Sequence, residues 1–553
     1  MEGDVRTDQR VAPYGIYGIL LAAALLAFLP HFQKGVIPWF DAAYHLSRIE
    51  TLYEALQAGV FPVKVHPSFG GYGYGSGFFY PNTLLYLPAL FMLAGLSLEA
   101  AYKLFTFCLL TALAIAMYHS CRILSCSRQV SVMMAVFYLF SDRILYNIYD
   151  RYALGETSAA IFLPIAIAGV YLFMVREGSP LWMITGIAGL LLTHTITTVL
   201  AACTCLILLV LQVKKIRKWK EKIVWGAMSA GTVLLICASY LLPMWQQMRA
   251  QRLKAAAPWT VSSEHVQPLS AVAGASGIGL PVLLLTVLCG VFLIRGKAKC
   301  SEIARESLPF LVTGTGAAIL PAVRPFFVWM NRMGIRLIQF PDRIYNIAIV
   351  CLLFFGGMVL STGGVLPEGM WKRRRVFPVI TILVIVLVAI HAIYIFRYVG
   401  PARNTILEQV AGHGNDTLGA GEWLPLETDI LSLTEPELTT DDTGSEIAGE
   451  KRDYGRYYVF ATGSAAEYYL VPYVYYRGYE AVTGTGVRLD TGKDPDSGLL
   501  RVLVPDEGLA EGTEVTVQYT GTQIMRISYL LSVAGVICCM IIGAVWRRKH
   551  AVN

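Results

Sequence analysis

Charged side chains are scarce in this sequence. Only 15% of its 553 residues are Asp, Glu, Lys or Arg, whereas 55% are hydrophobic, and the mean hydropathy is +0.55. Soluble domains carry charge on about a quarter of their residues, so the composition excludes an ordinary soluble protein. Several apolar runs are long enough to cross a bilayer, which predicts an α-helical, polytopic membrane protein.

One segment, 401–525, has no cysteine and few basic residues. It contains none of the 11 cysteines, and it has 8 Lys or Arg against 21 Asp or Glu, a net charge of −13. The remainder has 37 basic and 17 acidic residues, a net charge of +20. This division indicates a membrane topology, with no signal of nucleic-acid binding.

The apolar runs predict about 12 transmembrane helices. They lie near 13–31, 99–121, 157–175, 222–243, 277–295, 344–362, 376–396 and 526–546, with shorter runs near 129–141, 180–195, 196–213 and 307–322. We expect the first span to be a retained anchor, because no small-residue cleavage site follows it. The apolar segment 82–96 is interpreted as a re-entrant or interfacial helix.

The distribution of Lys and Arg between the loops gives an orientation. With these spans, the predicted cytoplasmic connections hold 20 basic residues and the short outer loops hold 9. The positive-inside rule therefore predicts cytoplasmic N- and C-termini. The predicted domains are a transmembrane domain at 1–398 with its first outer loop at 33–98, an extracytoplasmic domain at 399–525, and a final transmembrane helix with a cytoplasmic tail at 526–553.

The extracytoplasmic domain is predicted to be rich in β-structure. The runs YYVFAT, YYLVPYVYY, LLRVLVP and TEVTVQYT are separated by Gly and Asp turns, as expected for short strands. The stretch Thr434–Lys451 is rich in Thr, Glu and Asp, and we expect a mobile loop there.

The first outer loop carries the main candidate site. Asp41, His45 and Arg48 lie at i, i+4 and i+7, so they share one face of a predicted helix that Gly59 ends. An apolar stripe on another face, from Leu46 to Leu56, is typical of a helix on a membrane surface. Asp41 is either part of a functional site or only an N-cap.

Three further outer segments carry candidate residues. Four arginines, Arg324, Arg332, Arg336 and Arg343, lie in a predicted outer loop, against the usual bias, which indicates a bound anion such as a lipid phosphate. The alternative for the first two is snorkelling to ordinary headgroups. The other candidates have structural alternatives: surface pairing of Arg151 with Asp150, helix capping by Glu156, and hydrogen bonding of His194 to neighbouring threonines.

The motifs together resemble a known family. In order they are DxxxHxxR at 41–48, GYGY and FYP in the following loop, Arg-(x)4-Glu at 151–156, LTH at 192–194, QFPxR at 339–343 and GEWLP at 421–425. This order resembles bacterial 6-pyruvoyl-tetrahydropterin-synthase-related multi-pass membrane proteins. These in turn resemble the GT-C superfamily of glycosyltransferases, which use polyprenyl-phosphate-linked sugars.

The resemblance implies functional roles for the motif residues. Asp41 would be the catalytic base, and His45 would orient Asp41 or bind a divalent metal with it. The substrate-binding residues would be Arg48, Arg151, Glu156, His194, Gln339 and Arg343, together with Arg336 from the charge argument. Asp342 stands where the resemblance leads us to expect an aromatic residue, and its carboxylate is expected to neutralise Arg343 in part.

The activity that the resemblance implies is transfer of a sugar, at a bacterial plasma membrane, from a polyprenyl-phosphate donor to an extracytoplasmic glycan, lipid or protein. Membrane lipids would be further partners. Two alternatives remain at this point: a lipid or polysaccharide transporter, and a non-catalytic scaffold with an outer binding domain. A transporter would place polar residues along the bilayer midplane, whereas the candidate residues here gather at the predicted outer face.

Overall fold

A computed structural model describes most of the chain. The described residues are 13–36, 40–65, 71–256, 261–295, 302–336, 338–361, 410, 418–429, 438–463 and 466–551. They form a large helical part and a C-terminal antiparallel sheet, joined by the first loop and by the segment 418–429.

Seventeen helices in the described ranges are numbered α1–α17. Their bounds are α1 Pro13–Phe28, α2 Ala42–Gln57, α3 Ser76–Phe79, α4 Tyr86–Leu93, α5 Leu98–Ile123, α6 Arg128–Leu139, α7 Asp142–Tyr149, α8 Leu154–Arg176, α9 Leu181–Leu191, α10 Thr195–Leu211, α11 Trp219–Ile236, α12 Ala238–Ala250, α13 Leu280–Arg295, α14 Glu302–Ile319, α15 Arg324–Arg332, α16 Tyr345–Ser361 and α17 Gln523–Ala551. The predicted apolar runs coincide with helices throughout, except 376–396, which lies outside the described residues.

The helices have very different capacities to cross a bilayer. Among the described residues, five helical segments are long and apolar enough: Tyr14–Phe32, Leu98–Ile123, Leu154–Arg176, Pro341–Ser361 and Gln523–Lys549. Two further candidates are bent pairs, α11 with α12 at 70° and α14 with α15 at 77°. The chain is therefore a membrane protein, and the number of twelve spans stays a prediction. With only eight residues, α4 is too short to span.

The C-terminal sheet has nine strands, all paired antiparallel. The strands are β1 Leu438–Asp441, β2 Glu446–Arg452, β3 Tyr457–Ala461, β4 Tyr468–Val474, β5 Tyr479–Thr483, β6 Arg488–Leu489, β7 Thr491–Lys493, β8 Leu499–Leu503 and β9 Glu514–Tyr519. Their order in the sheet is β6-β5-β9-β3-β2-β1-β4-β8-β7. The four strand-like runs of the sequence correspond to β3, β4, β8 and β9, so the β-rich prediction is confirmed.

The predicted mobile loop at 434–451 is wrong for its described part. Residues 438–452 form the hairpin β1–β2, in which Leu438 pairs with Ala448. The turn is closed by Asp441, whose Oδ1 accepts hydrogen bonds from the backbone N–H groups of Thr443 and Ser445, both over 2.9 Å. The β2 strand has no fully buried residue, so it lacks the apolar alternation by which a strand is recognised in sequence.

The helix α2 is buried in protein rather than lying on a membrane surface. Leu46 and Ile49 are fully buried in the helical core, and Leu56 packs against that core. The predicted apolar stripe is confirmed, but the prediction that it faces a membrane surface is wrong. Helical periodicity identifies an apolar face and does not tell what covers that face. The helix ends at Gln57, and Gly59 follows with a φ of 71°, as expected for a helix terminus.

The Gly/Tyr-rich part of the first loop packs into the C-terminal sheet. The backbone N–H of Val474 in β4 donates to the Tyr72 carbonyl over 2.9 Å. Gly75 packs so closely against the Tyr476 ring that a Cβ there would overlap it, which explains the glycine. The loop after α2 is therefore a shared boundary between the helices and the sheet.

Candidate active site

One large cavity lies where the first loop, the helix ends and the segment 418–429 meet. Its volume is about 1360 Å³. Seven of the nine site residues predicted from sequence line it: Asp41, His45, Arg151, His194, Arg336, Gln339 and Arg343. The fold thus brings together side chains that are up to 302 residues apart, from Asp41 to Arg343.

Asp41 occupies the N-cap position of α2 without capping it. Its side chain makes no capping hydrogen bond, so the alternative in which Asp41 serves only as an N-cap is not what the structure contains. Burial raises the pKa of its carboxyl above the usual value, and the guanidinium groups of Arg151 and Arg343 partly oppose that rise. The carboxylate lines the cavity close to two cations, an arrangement suited to a base.

His45 and Arg48 form a pair one turn into α2. Arg48 Nη1 donates to His45 Nδ1 over 3.3 Å, and because a guanidinium has only donors, the His45 proton is on Nε2. Burial and the Arg48 charge hold the pKa of His45 well below its usual value, so the ring is neutral. The His45 ring also contacts those of Tyr44 and Tyr80.

Arg48 lies behind the cavity wall rather than lining it. Its Nη2 donates to the carbonyls of Tyr80 and Pro81 and to Asn82 Oδ1, over 3.0, 2.9 and 2.6 Å. The guanidinium also lies 4.3 Å from the centroid of the Tyr80 ring. These contacts give Arg48 a role in holding the loop, and its predicted contact with substrate stays a prediction.

A buried ion-pair network forms the wall beside Asp41. Arg143 is fully buried and donates to Glu156 Oε1 over 2.6 Å and to Asp342 Oδ2 over 2.5 Å. Arg151 lies 3.9 Å from each of these carboxylates, and Arg343 Nε lies 3.4 Å from Glu156 Oε2. Three guanidinium groups therefore face two carboxylates, which leaves an excess of one positive charge at the wall.

The network leaves one cavity arginine incompletely paired. Glu156 Oε1 also accepts hydrogen bonds from Asn147 and Asn346, over 3.0 and 2.7 Å, so only Oε2 is left for the two cavity arginines. Within the described ranges, Arg343 Nη1 is buried without a hydrogen-bond partner, and so is the acceptor Asp342 Oδ1. An unpartnered buried guanidinium N–H is costly unless a ligand accepts from it.

Two structural alternatives and one expectation from the sequence are tested by these contacts. Arg151 is buried and pairs with Glu156 and Asp342, so simple surface pairing with Asp150 is wrong. Glu156 is an ion-pair partner inside the first turn of α8 rather than a cap. Asp342 is hydrogen-bonded to Arg143, and its charge also acts on Arg343, as the expected partial neutralisation of Arg343 requires.

His194 combines a structural and a cavity role. It is the N-cap of α10, where Nδ1 accepts from the Thr197 backbone N–H over 3.4 Å and lies 2.7 Å from the Thr197 hydroxyl. Its ring is 5.9 Å from that of Tyr80. Tyr80 packs tightly over α8, where a Cβ at Gly155 would overlap its hydroxyl.

Three residues of the site were not predicted from sequence. Arg143 and Asp342 complete the ion-pair network, and Glu422 lines the cavity from the segment 418–429. The GEWLP motif is a sequence signal that could have identified Glu422. No sequence signal distinguishes Arg143 from other charged residues of the predicted outer loops. The remaining predicted residue, Arg336, is exposed and lines the cavity beyond Arg343.

The described side chains do not fit a divalent metal site. In the described ranges no three His, Cys, Asp or Glu side chains come together in a way that could hold a metal ion. His45 Nδ1, one potential ligand atom, accepts from a guanidinium instead.

The helices and the cavity define a membrane protein with a charged site between its helical part and its sheet. Comparison with known proteins finds only weak similarity. No family model matches the sequence. An uncharacterised protein of Lactococcus lactis subsp. cremoris is 24% identical over 247 residues, which cover 43% of this chain and 40% of that protein. The cryo-EM structure of the arabinofuranosyltransferase AftD from mycobacteria aligns with a TM-score of 0.43 and 14% identity, over 71% of this chain and 27% of that one. At this level, neither protein's activity extends to the chain.

Proposed function

We propose that the protein is a membrane glycosyltransferase of the GT-C kind, which transfers a sugar from a polyprenyl-phosphate donor to an acceptor hydroxyl outside the cytoplasm. The observation that supports this most directly is the placement of Asp41 in the same cavity as Arg151 and Arg343. A carboxylate base beside a cation site for a phosphate is what glycosyl transfer from a lipid phosphate requires.

The phosphate of the donor would bind at Arg343 and Arg151. Arg343 Nη1 has no partner among the described residues, and the wall carries one more guanidinium than carboxylate. A phosphate oxygen is a strong hydrogen-bond acceptor for a guanidinium N–H. The same cations would stabilise the charge that develops on the leaving phosphate in the transition state.

Asp41 would act as the general base. The acceptor hydroxyl gives its proton to the Asp41 carboxylate as its oxygen attacks the anomeric carbon. The bond between that carbon and the phosphate oxygen breaks, and its electron pair leaves with the lipid phosphate. The anomeric carbon is oxocarbenium-like at the transition state, so the nearby carboxylate stabilises it as well.

The apolar part of the cavity would accommodate the start of the lipid chain. The apolar side chains that line it include Ile196, Met244, Met248, Ile335 and Leu426. Met248 and Ile335 are also exposed on the protein surface, so the apolar lining continues outward. In this proposal the cavity faces the outer membrane interface, with both termini in the cytoplasm.

The experiment is a turnover assay on the purified protein. Radiolabelled polyprenyl-phosphate sugars, with hexoses and pentoses tested separately, are supplied with a cell-envelope glycan fraction, and released lipid phosphate is measured. Sugar-dependent release that is absent in Asp41→Asn supports the proposal. Donor binding without release in every combination would favour the transporter or scaffold alternatives and reject the enzyme.

Orientation has a separate test. A single cysteine at the exposed position Glu511, placed in a cysteine-free background, should react with a membrane-impermeant maleimide on intact cells. Labelling that occurs only after lysis would place the sheet in the cytoplasm and reject the proposed topology.

A further inference from the structure

Glu422, on the segment 418–429, is a third carboxylate that lines the cavity, besides Asp41 and Asp342. Its nearest polar partner is Gln339, whose Nε2 donates to Glu422 Oε1 over 3.5 Å. None of the ion pairs found in the described ranges includes Glu422. Its carboxylate therefore retains acceptor capacity toward the cavity, whereas Glu156 and Asp342 are held by the arginine network.

The backbone that carries Glu422 is fixed from both sides. The Glu422 carbonyl accepts from the Ala255 N–H over 2.7 Å, and the Leu424 carbonyl accepts from the Lys254 N–H over 2.9 Å. On the other side, the Trp423 N–H donates to the Tyr74 hydroxyl over 3.1 Å. A carboxylate presented by so constrained a backbone is preorganised, and it loses little conformational entropy when a ligand binds.

An aromatic surface adjoins this carboxylate. The Trp423 and Phe79 rings are stacked, with centroids 5.0 Å apart and planes inclined by 15°, and both line the cavity. The carbonyl of Phe79 is itself held by the Tyr240 hydroxyl over 2.8 Å. A carboxylate and an amide beside a flat apolar surface match the chemistry of a sugar ring, which has hydroxyl donors at its edge and C–H groups on its face.

We propose that Glu422 and Gln339, with Trp423, form a sugar-binding subsite that recognises a pair of neighbouring ring hydroxyls. This inference rests on the proposed function, since it assigns the sugar to Glu422 and Gln339 and the phosphate to Arg343 and Arg151. Glu422 accepts from one or both hydroxyls, and Gln339 supplies both an acceptor and a donor. Gln339 and Arg343 lie on one short segment, so sugar and phosphate are held by neighbouring residues.

The sugar recognised could belong to the donor or to the acceptor, and binding measurements separate the two. The probes are farnesyl phosphate, farnesyl phosphate carrying a radiolabelled hexose or pentose, and the methyl glycosides of the same sugars. Dissociation constants are measured on the purified full-length protein, and methyl glycosides are tested with saturating farnesyl phosphate.

Glu422→Gln is the main variant, and Glu427→Gln is its matched control. Glu427 lies five residues later, outside the cavity lining, and pairs with Lys493 over 2.9 Å. Loss of a hydrogen bond to a charged group weakens binding by about 10-fold or more. A donor subsite predicts that loss in Glu422→Gln for the sugar-bearing farnesyl phosphate, and an acceptor subsite predicts it for a methyl glycoside. In either case farnesyl phosphate without sugar binds as it does to the unmodified protein.

Three results would overturn the subsite. They are unchanged binding of every sugar-bearing probe in Glu422→Gln, equal weakening with and without the sugar, and absence of any sugar preference in the unmodified protein. The phosphate site is judged independently by Arg343→Lys and farnesyl phosphate alone. A protein that binds farnesyl phosphate through Arg343 but shows no effect at Glu422 retains the proposed function and loses only the subsite.

Discussion

Arg143 and Asp342 are joined by a buried hydrogen bond of 2.5 Å although they lie 199 residues apart in the chain. The bond ties α7 to the turn that begins α16 and places Arg343 against Glu156. Asp342 is thus the reason that the arginine of the QFPxR motif can keep an unpartnered donor in the cavity. The ion pair between Arg143 and Asp342 is therefore part of what sets the charge of the cavity wall.

Arg143→Met should destabilise the protein strongly. Removing the guanidinium leaves the Glu156 and Asp342 carboxylates without their shortest contacts inside the protein, a change that typically costs about 3–5 kcal/mol. Lys218→Met is the matched control, because Lys218 and Glu177 form an exposed pair, worth about 0–1 kcal/mol. Thermal unfolding in detergent measures both, and equal melting temperatures would mean that the network contributes little to stability.

Asp41→Asn should abolish transfer while leaving the fold intact. A general base needs its negative charge, and its loss typically lowers the rate about 10²–10⁴-fold. Because Asp41 makes no capping bond, Asp41→Asn and Asp41→Ala should both melt close to the unmodified protein. Turnover and melting are compared for the two variants, and an active Asp41→Asn protein would remove Asp41 from the chemistry.

The dependence of kcat/KM on pH should follow the ionisation of the Asp41 carboxyl. Its pKa is raised by burial, so kcat/KM should rise with pH through a midpoint above about 3.9, the ordinary value for Asp. The Arg151 charge lowers that pKa, so Arg151→Gln should move the midpoint to higher pH. Arg336→Gln is the control, since Arg336 lines the cavity but is not among the charges acting on Asp41. A shift to lower pH in Arg151→Gln would contradict this assignment.

Arg343→Lys should weaken donor binding. Lysine keeps the charge but cannot reproduce the two parallel N–H donors of a guanidinium, so we expect the dissociation constant for farnesyl phosphate to rise about 10-fold or more. Arg324→Lys serves as the comparison, because Arg324 is exposed on α15 and does not line the cavity. If both variants bind farnesyl phosphate like the unmodified protein, the arginines only contact ordinary headgroups.

Gly155→Ala should lower activity through Tyr80. A methyl group at this position would overlap the Tyr80 hydroxyl and ring, so Tyr80 must move away from His45 and His194. Gly226→Ala on α11 is the control, because no atom lies within 4 Å of the place that its methyl group would take, and the change should leave activity unaltered. Turnover is measured at a temperature at which both variants are folded, and equal activities would show that Tyr80 can move freely.

The sequence predicts the helices and part of the site well, because both signals are local. Every apolar run that the structure describes coincides with a helix, whereas the helices Asp142–Tyr149 and Arg324–Arg332 lie in segments predicted as loops. The motifs at 41–48 and 339–343 identify much of the cavity lining. The hairpin 438–452 is not predicted because its residues are mostly polar and β2 has no fully buried residue, so neither strand shows an apolar alternation. The places of Arg143 and Glu422 in the site are not predicted for another reason. Their partners lie far away in the chain, and composition and periodicity carry no information about such contacts.

The packing of the first loop against the sheet has a consequence for biosynthesis. Tyr74 is bonded to Trp423, 349 residues later, and Gly75 lies against Tyr476. During translation the loop beside Asp41 therefore leaves the ribosome long before the residues that cover it. The nascent protein passes through most of its synthesis with this loop uncovered, and its cavity is assembled only after the sheet has been synthesised and folded.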